Sequence, residues 1–278
     1  MIFDLHTHTV HSPRGENSAY EMCRCAAKLG LSVIGITDHC ECNRFYPQSF
    51  YTSRPNPDES YDNGQIFERS VSDAKAAKEK CRGEMKVLVG TELGQPCFDM
   101  QAAEKITSDS RLDYVIGSVH QIPCCDDFCF LEYDEKLLDI QLERYFGECL
   151  KMCREVDINV LGHLTYPLRY IEGKYNIKTD LKHYYNIISE IMDMIVSKGI
   201  ALEINCSGLR QAYGKTFPTE DIVRLYKDRG GEFVSIGSDT HSAEFIGHGF
   251  ETARELALSC GIANGVYFEQ RKPTYFKL

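Results

Sequence analysis

Seven short apolar runs, each followed by a longer amphipathic stretch, set what this chain can fold into. The runs are Met1 to Leu5, Leu31 to Ile36, Met85 to Gly90, Leu112 to Val119, Ile158 to Leu161, Ile200 to Leu202 and Glu232 to Gly237. Runs this short, rich in Val, Ile and Leu, read as buried strands. The stretches between them read as helices over Ser18 to Leu29, Gln65 to Cys81, Met100 to Ile106, Glu135 to Val156, Leu181 to Lys198, Thr219 to Arg229 and Phe250 to Ser259. Ser18-Ala19-Tyr20-Glu21 has the capping-box pattern, and Gly30 suits the stop of that first helix. Strand and helix in alternation predict a parallel sheet, because each crossover helix returns the chain for another parallel strand. No composition break marks a boundary, so residues 1–278 are expected to form a single domain.

The runs end on metal-ligand residue types. The first leads into Asp4-Leu5-His6-Thr7-His8-Thr9. Side chains at i and i+2 of an extended strand share a side, so His6 and His8 converge on one point, as imidazole ligands do. Later run ends carry Asp38-His39, Glu92, His120, His163, Glu203 with Asn205, and Asp239 with His241. A barrel gathers such ends into a ring at its C-terminal face, whereas an open sheet spreads them out. No glycine fingerprint for a dinucleotide follows the first strand. Mixed histidine and carboxylate donors suit Zn, Mn or Fe. There are too many for one tetrahedral ion, so two or three divalent ions are expected, with Glu92 or Asp239 bridging. Such a centre suits hydrolysis by a metal-bound hydroxide. No G-x-S-x-G nucleophile motif is present.

Composition narrows the partners. Lys and Arg number 31 against 41 Asp and Glu, a net charge of -10, which disfavours a general nucleic-acid binder. No apolar run is long enough for a membrane span, and no basic segment with an apolar core opens the chain. Thirteen cysteines, an odd count without an export signal, fit reduced thiols in a cytoplasm. Cys23/Cys25, Cys40/Cys42 and Cys124/Cys125/Cys129 lack the paired spacing of a thiolate zinc site.

The blocks His6-Thr7-His8, Thr37-Asp38-His39, Gly90-Thr91-Glu92, Gly117-Ser118-Val119-His120, Gly162-His163 and Gly237-Ser238-Asp239-Thr240-His241 resemble the polymerase-and-histidinol-phosphatase superfamily. Glu203 to Arg210 and Gly162 to Tyr170 look like its histidinol-phosphatase branch. The resemblance implies an α/β fold, a distorted seven-stranded (β/α)7 TIM-like barrel with the metal site at the C-terminal strand ends. It implies hydrolysis of L-histidinol phosphate in histidine biosynthesis. By position, His6, His8, Glu92 and Asp239 would hold a first metal, Glu92, His120 and His163 a second, and His39 with His241 a third. His39, Asp239 and His241 are also the expected catalytic residues. Arg169 and Arg210 would bind phosphate, since a guanidinium offers a planar fork to phosphate oxygens. Glu203 and Asn205 are expected to line the substrate pocket, an acid there pairing with the substrate amine, or to orient ligands.

One departure affects the third site. Many relatives carry His or Asp shortly after the H-x-H motif, where this chain has Arg14, which cannot ligate a cation. Glu16 is the expected substitute, with His11 the other option, and Arg14 is left free to bind phosphate. Asp38 is expected to orient an imidazole. His183 and His248 are not expected to be ligands. The loop from Cys40 to Asn63 is expected to lie over the pocket, with Tyr46, Tyr51 and Tyr61 available for stacking. Two other readings stay open: a phosphoesterase for another small phosphate or nucleotide, and a metal-binding module without turnover.

Overall fold

The computed structural model describes residues 2–51, 60–133 and 135–278. The chain alternates as the apolar runs predict: β1 (Phe3–Thr7), α1 (Ala19–Lys28), β2 (Val33–Ile36), β3 (His39–Glu41), α2 (Asn63–Lys80), β4 (Lys86–Gly94), α3 (Met100–Thr107), β5 (Tyr114–Ser118) and α4 (Glu135–Glu155). It continues with β6 (Val160–Leu161), α5 (Leu168–Ile171), α6 (Tyr185–Lys198), β7 (Ala201–Asn205), α7 (Glu220–Asp228), β8 (Phe233–Gly237), α8 (Phe250–Ser259), β9 (Asn264–Glu269) and β10 (Lys272–Lys277). The capping box forms at α1: Glu21 N donates to Ser18 Oγ at 3.3 Å, and Ser18 N donates to Glu21 Oε2 at 2.8 Å.

The strands make a mostly parallel sheet in the order β1-β2-β4-β5-β6-β7-β8-β9-β10, with β3 paired beside β4. Its central strands are buried throughout, which is why they read as continuous apolar runs. Helices pack on the sheet through one apolar face, as Met22, Cys23 and Ala26 of α1 do. The C-terminal ends of β1 and β8 also meet. His8 N donates to Thr240 O and Asp239 N donates to His6 O, each at 2.8 Å.

Three features depart from the sequence expectation. The stretch after Cys40 is not all loop: it holds β3 and two short 3-10 turns, and residues 52–59 of it lie outside the described residues. Arg169 sits on a short helix, α5, in a stretch between the fifth apolar run and the next amphipathic one where no helix is expected. The tail after Ser259 forms the antiparallel pair β9–β10. Its turn residues, Gln270 and Arg271, have φ of 48° and 65°, the positive values that a two-residue hairpin needs. Asp113 holds that turn by accepting from Arg271 N at 2.8 Å and Gln270 N at 3.1 Å. Among the described residues, no helix is long and apolar enough to cross a membrane.

Candidate metal centre

The strands run on past their apolar cores, and that extension carries the donors inward. His6 lies within β1, His39 and Glu41 on β3, Glu92 within β4, and Glu203 with Asn205 on β7. His8, His120, His163, Asp239 and His241 follow strand ends. Glu92 stands at the middle. Its Oε1 is 2.7 Å from His163 Nε2 and 3.1 Å from His120 Nε2. Its Oε2 is 3.1 Å from His39 Nδ1, 3.4 Å from His6 Nε2 and 3.6 Å from His8 Nε2. Asp239 Oδ1 is 3.2 Å from His8 Nε2 and 3.9 Å from both His6 Nε2 and His241 Nε2.

Asp239 reaches this position through a left-handed backbone, φ 53°. Asp tolerates that region better than most residues. Gly237, two residues earlier, has to be glycine: a Cβ there would stand 2.2 Å from the His6 Cβ.

The donor set fits divalent cations. His6 Nε2, His8 Nε2 and Glu92 Oε2 are buried, have no hydrogen-bond partner and lie within 4.8 Å of one another. Polar atoms buried without partners are costly, and a shared cation removes the cost for all three. Three further groups have the same spacing: Glu92 with His120 and His163, His8 with His39 and His241, and His39 with Glu41 and His120. Glu92 belongs to two of the four groups, and so do His8, His39 and His120.

Supporting hydrogen bonds fix which nitrogen faces inward. His6 Nδ1 is 2.7 Å from Glu203 Oε1, so His6 Nε2 is left for the centre. Ser12 Oγ donates to Asp38 Oδ1 at 2.7 Å, so it accepts from His8 Nδ1 at 3.1 Å and from His39 N at 3.0 Å. Asp38 thus orients His8 through Ser12, and Thr9 and Ser70 hold its carboxylate in turn. His120 Nδ1 is 3.2 Å from Glu41 Oε1. Gln95 braces this pair by donating to Glu41 Oε2 at 2.7 Å and accepting from His120 N at 3.0 Å.

The electrostatics follow from this crowding. Burial alone would raise the Glu92 carboxyl, but the His39, His6 and His120 rings outweigh it and hold Glu92 well below the usual carboxylate range. Burial would likewise raise Asp239, and His6 and His8 hold it down. Burial, His241 and His39 push His8 well below its ordinary value, and burial with His39 takes His241 to about 4. Burial would lower His6, yet Glu203, Glu92 and Asp239 raise it well above. The lowered Glu92 and Asp239 and the raised His6 have one cause, ionised carboxylates that draw positive charge, and divalent cations supply it.

A cavity of about 600 Å³ opens onto the centre and is lined by His39, Glu41, Glu92, His120, His163, Asp239 and His241. Arg169 reaches it from α5, donating to Ser207 Oγ at 2.6 Å and lying 3.5 Å from Asp239 Oδ2. Its guanidinium stacks over Tyr166 and Phe217. A second cavity, about 550 Å³, is lined by Glu172, Tyr185, Lys215 and Asp221 among others and by none of the donors.

Several expected site residues stand elsewhere. Glu16 is exposed, belongs to no donor group and does not line the cavity; its backbone N is tied to His241 O at 2.9 Å. His11 lines the cavity but pairs with Asp73 at 2.8 Å instead of joining a donor group. Arg14 lines the cavity. Glu203 and Asn205 are sealed behind His6, off the cavity wall. Glu203 Oε2 accepts from His163 N at 2.7 Å and from Asn205 Nδ2 at 3.2 Å, and Asn205 also donates to Asp239 Oδ2. Arg210 lies off the wall too, donating to the Asp239 carbonyl at 3.1 Å. His183 and His248 are exposed. Tyr46 stacks on Phe50, and Tyr51 lies against Tyr61.

Glu41 was missed. The signal was present: His39 and Glu41 are two apart, the spacing that singled out His6 and His8.

The PHP domain family model matches residues 4–207. The chain belongs to the PHP family. A Clostridium acetobutylicum protein named "Probable histidinol-phosphatase" is 30% identical over 281 residues, covering 99% of this chain and all of its own length. A Thermotoga maritima protein of the same name is 30% identical over 92% of this chain and 91% of its own. A crystal structure of Lactococcus lactis histidinol phosphate phosphatase, complexed with zinc, L-histidinol and phosphate, shares the fold. Its TM-score is 0.77 at 24% identity, covering 98% of each chain. This PHP-family chain therefore has the strand-end donor array on a scaffold seen in a zinc-bound relative.

Proposed function

We propose that this protein hydrolyses L-histidinol phosphate to L-histidinol and inorganic phosphate. The observation that carries the reading is the set of unpartnered donor atoms on His6, His8 and Glu92, beside a cavity that also presents a guanidinium. Full-length relatives named for this activity support the choice of substrate.

The ions would be held by His6, His8, Glu92 and Asp239, by Glu92, His120 and His163, and by His8, His39 and His241. Divalent ions supply Lewis acidity and an activated water for phosphoester hydrolysis. Arg169 binds the phosphate oxygens, fixed by Ser207 and Asp239 so that its fork is oriented before substrate arrives. Tyr166 closes the wall behind His120 and His163, its ring centroid 5.2 and 5.1 Å from theirs, and limits water there. His39, Asp239 and His241 line the cavity and position the water that gives the departing alkoxide its proton. Arg210 acts one step back, steadying the left-handed Asp239 backbone through its carbonyl.

In this reading the sheet is a distorted seven-unit barrel forming one domain. The hydrogen bonds joining His8 to Thr240 and Asp239 to His6 support its closure. The working compartment is a cytoplasm, consistent with thirteen free cysteines. Its partner is a small phosphate ester, not a nucleic acid or a membrane.

The test is phosphate release from L-histidinol phosphate, adenosine monophosphate and p-nitrophenyl phosphate. Metal-stripped protein is compared with protein reloaded with Zn, Mn or Fe. The expected result is metal-dependent turnover that favours L-histidinol phosphate. Preference for another ester discards the substrate, and no turnover with any ion or ester discards the enzyme.

A further inference from the structure

Four carboxylates line the cavity: Glu41, Glu92, Asp127 and Asp239. Three of them belong to the donor array or brace it. Asp127 does neither. It sits on the loop between β5 and α4, half-buried, in a wall shared with Phe130, Tyr166 and Tyr170. Both hydrogen bonds to its side chain fall on Oδ1, from Cys129 N at 2.8 Å and Tyr166 Oη at 3.4 Å. Among the described residues, no Lys, Arg or His forms an ion pair with it, and Oδ2 has no backbone or hydroxyl donor, the Cys129 thiol standing beside the carboxylate.

The loop holds this carboxylate in place. Phe128 N donates to His120 O at 3.0 Å, so the segment carrying Asp127 is pinned to the residue that bears a metal-type ligand. Tyr166 ties the same point to the centre. Its hydroxyl meets Asp127 and, at 2.9 Å, the Tyr170 hydroxyl, while its ring leans on His120 and His163. Asp127 therefore stands one aromatic ring away from the donor array, across a gap open to ligand. Arg14 and Arg69 line the same cavity, and Arg14 acts electrostatically on Cys129 without forming an ion pair with Asp127.

We infer that Asp127 is the specificity residue that binds the ammonium group of an amino-alcohol phosphate whose phosphoryl end lies at the metal centre. The inference rests on the phosphatase reading above and adds what selects the substrate. A carboxylate with one oxygen fixed and the other free, flanked by aromatic faces, suits a primary ammonium: it offers a charge-assisted hydrogen bond and a cation–π surface. Burial removes Glu203 from this task, and Asp127 takes it. Simple or nucleotide phosphates lack the ammonium and gain nothing from Asp127.

Asp127→Asn keeps the Oδ1 acceptor that Cys129 N uses, so the loop should hold. The measurement is the ratio of kcat/KM for L-histidinol phosphate to that for p-nitrophenyl phosphate, with zinc content measured in parallel. The ratio should fall at least tenfold, through KM for L-histidinol phosphate, and Asp127→Glu should restore part of it. A ratio within twofold of the native value overturns the inference, as does equal loss on both esters. The native enzyme gives a check that needs no variant: L-histidinol should inhibit at least tenfold better than its N-acetyl derivative. Equal inhibition by the two also overturns it. Absence of native turnover on L-histidinol phosphate refutes the phosphatase reading itself, and the inference with it.

Discussion

Removing the Glu203 carboxylate separates two roles that the sequence leaves joined. Glu203 is 1% exposed and accepts from His6 Nδ1 and His163 N, each at 2.7 Å. Glu203→Ala strands both donors in a buried site. Each unmade hydrogen bond costs about 1–3 kcal/mol, so the metal-stripped protein should lose about 2–6 kcal/mol of stability. His6 is also freed to rotate or to move its proton to Nε2, which removes a ligand lone pair. Losing such an orienting partner lowers metal affinity by about 10–100-fold. Glu203→Gln keeps one carbonyl oxygen for one of the two donors, so it should fall between native and Glu203→Ala in both measurements. The assays are a urea melt of metal-stripped protein and a zinc competition titration against a chromophoric chelator. Activity should return at saturating zinc with KM near native. Native zinc affinity together with a raised KM at saturating zinc would refute the reasoning and return Glu203 to the substrate.

The wall around Glu41 predicts a non-additive pair. A Cβ on Gly94 would lie 1.9 Å from Glu41 Oε2, so Gly94→Ala should displace Glu41 from His120 and weaken zinc binding about tenfold or more. The Gly94→Ala/Glu41→Ala double variant should bind zinc no worse than Glu41→Ala alone; additive losses would contradict the shared cause. Arg169→Met should raise KM for phosphate esters and weaken competitive inhibition by inorganic phosphate, each about tenfold or more, as loss of a charged fork requires; unchanged inhibition by phosphate would remove Arg169 from the phosphate site. Far from the centre, Arg111 binds Asp109 and Glu68, and its hydrogen bonds hold both carboxyls below their ordinary values. Groups with depressed pKa add stability above their unfolded pKa and lose it as pH falls through the folded one. Arg111→Gln should therefore cost about 0.5–1 kcal/mol at pH 7 for a partly exposed network. That difference should vanish in strong acid, and one that grew on acidification would contradict the sign.

Much of the centre was legible because two simple periodicities coincide. Apolar runs identify buried strands, and polar ligand types at their ends lie on one face of a parallel α/β sheet. His6, His8, Glu92, His120, His163, Asp239 and His241 all follow from that rule. It fails where the residue's neighbours are set by chain crossings instead of by its own strand. Glu203 ends an apolar run like the others, yet the close approach of β1 to β7 and β8 at Gly237 places its carboxylate behind His6. Arg210 is drawn by the Asp239 carbonyl in the same way. Glu16 is suggested only by its position after the H-x-H motif, and its backbone N is tied to His241 O while its side chain is exposed.

Other misses share a local cause. The β9–β10 hairpin turns through Gln270-Arg271, whereas positive φ at both turn positions favours Asn-Gly or Asp-Gly. No local signal announces that turn, because Asp113, far away in sequence, supplies its hydrogen bonds. Glu41 and Asp127 lie in stretches that read as loops, where the period-two rule was not applied. Glu41 recovers it on the short strand β3, next to Glu92 through the His39–Glu92 pairing. Asp127 has no such period: it is placed by the tie of Phe128 to His120 and by the Tyr166 hydroxyl. Strand ends thus fix the reacting centre, which is written in regular structure and can be read from it. The wall that we infer to tell one phosphate ester from another is written in loops anchored to that centre, and only the folded chain brings it into view.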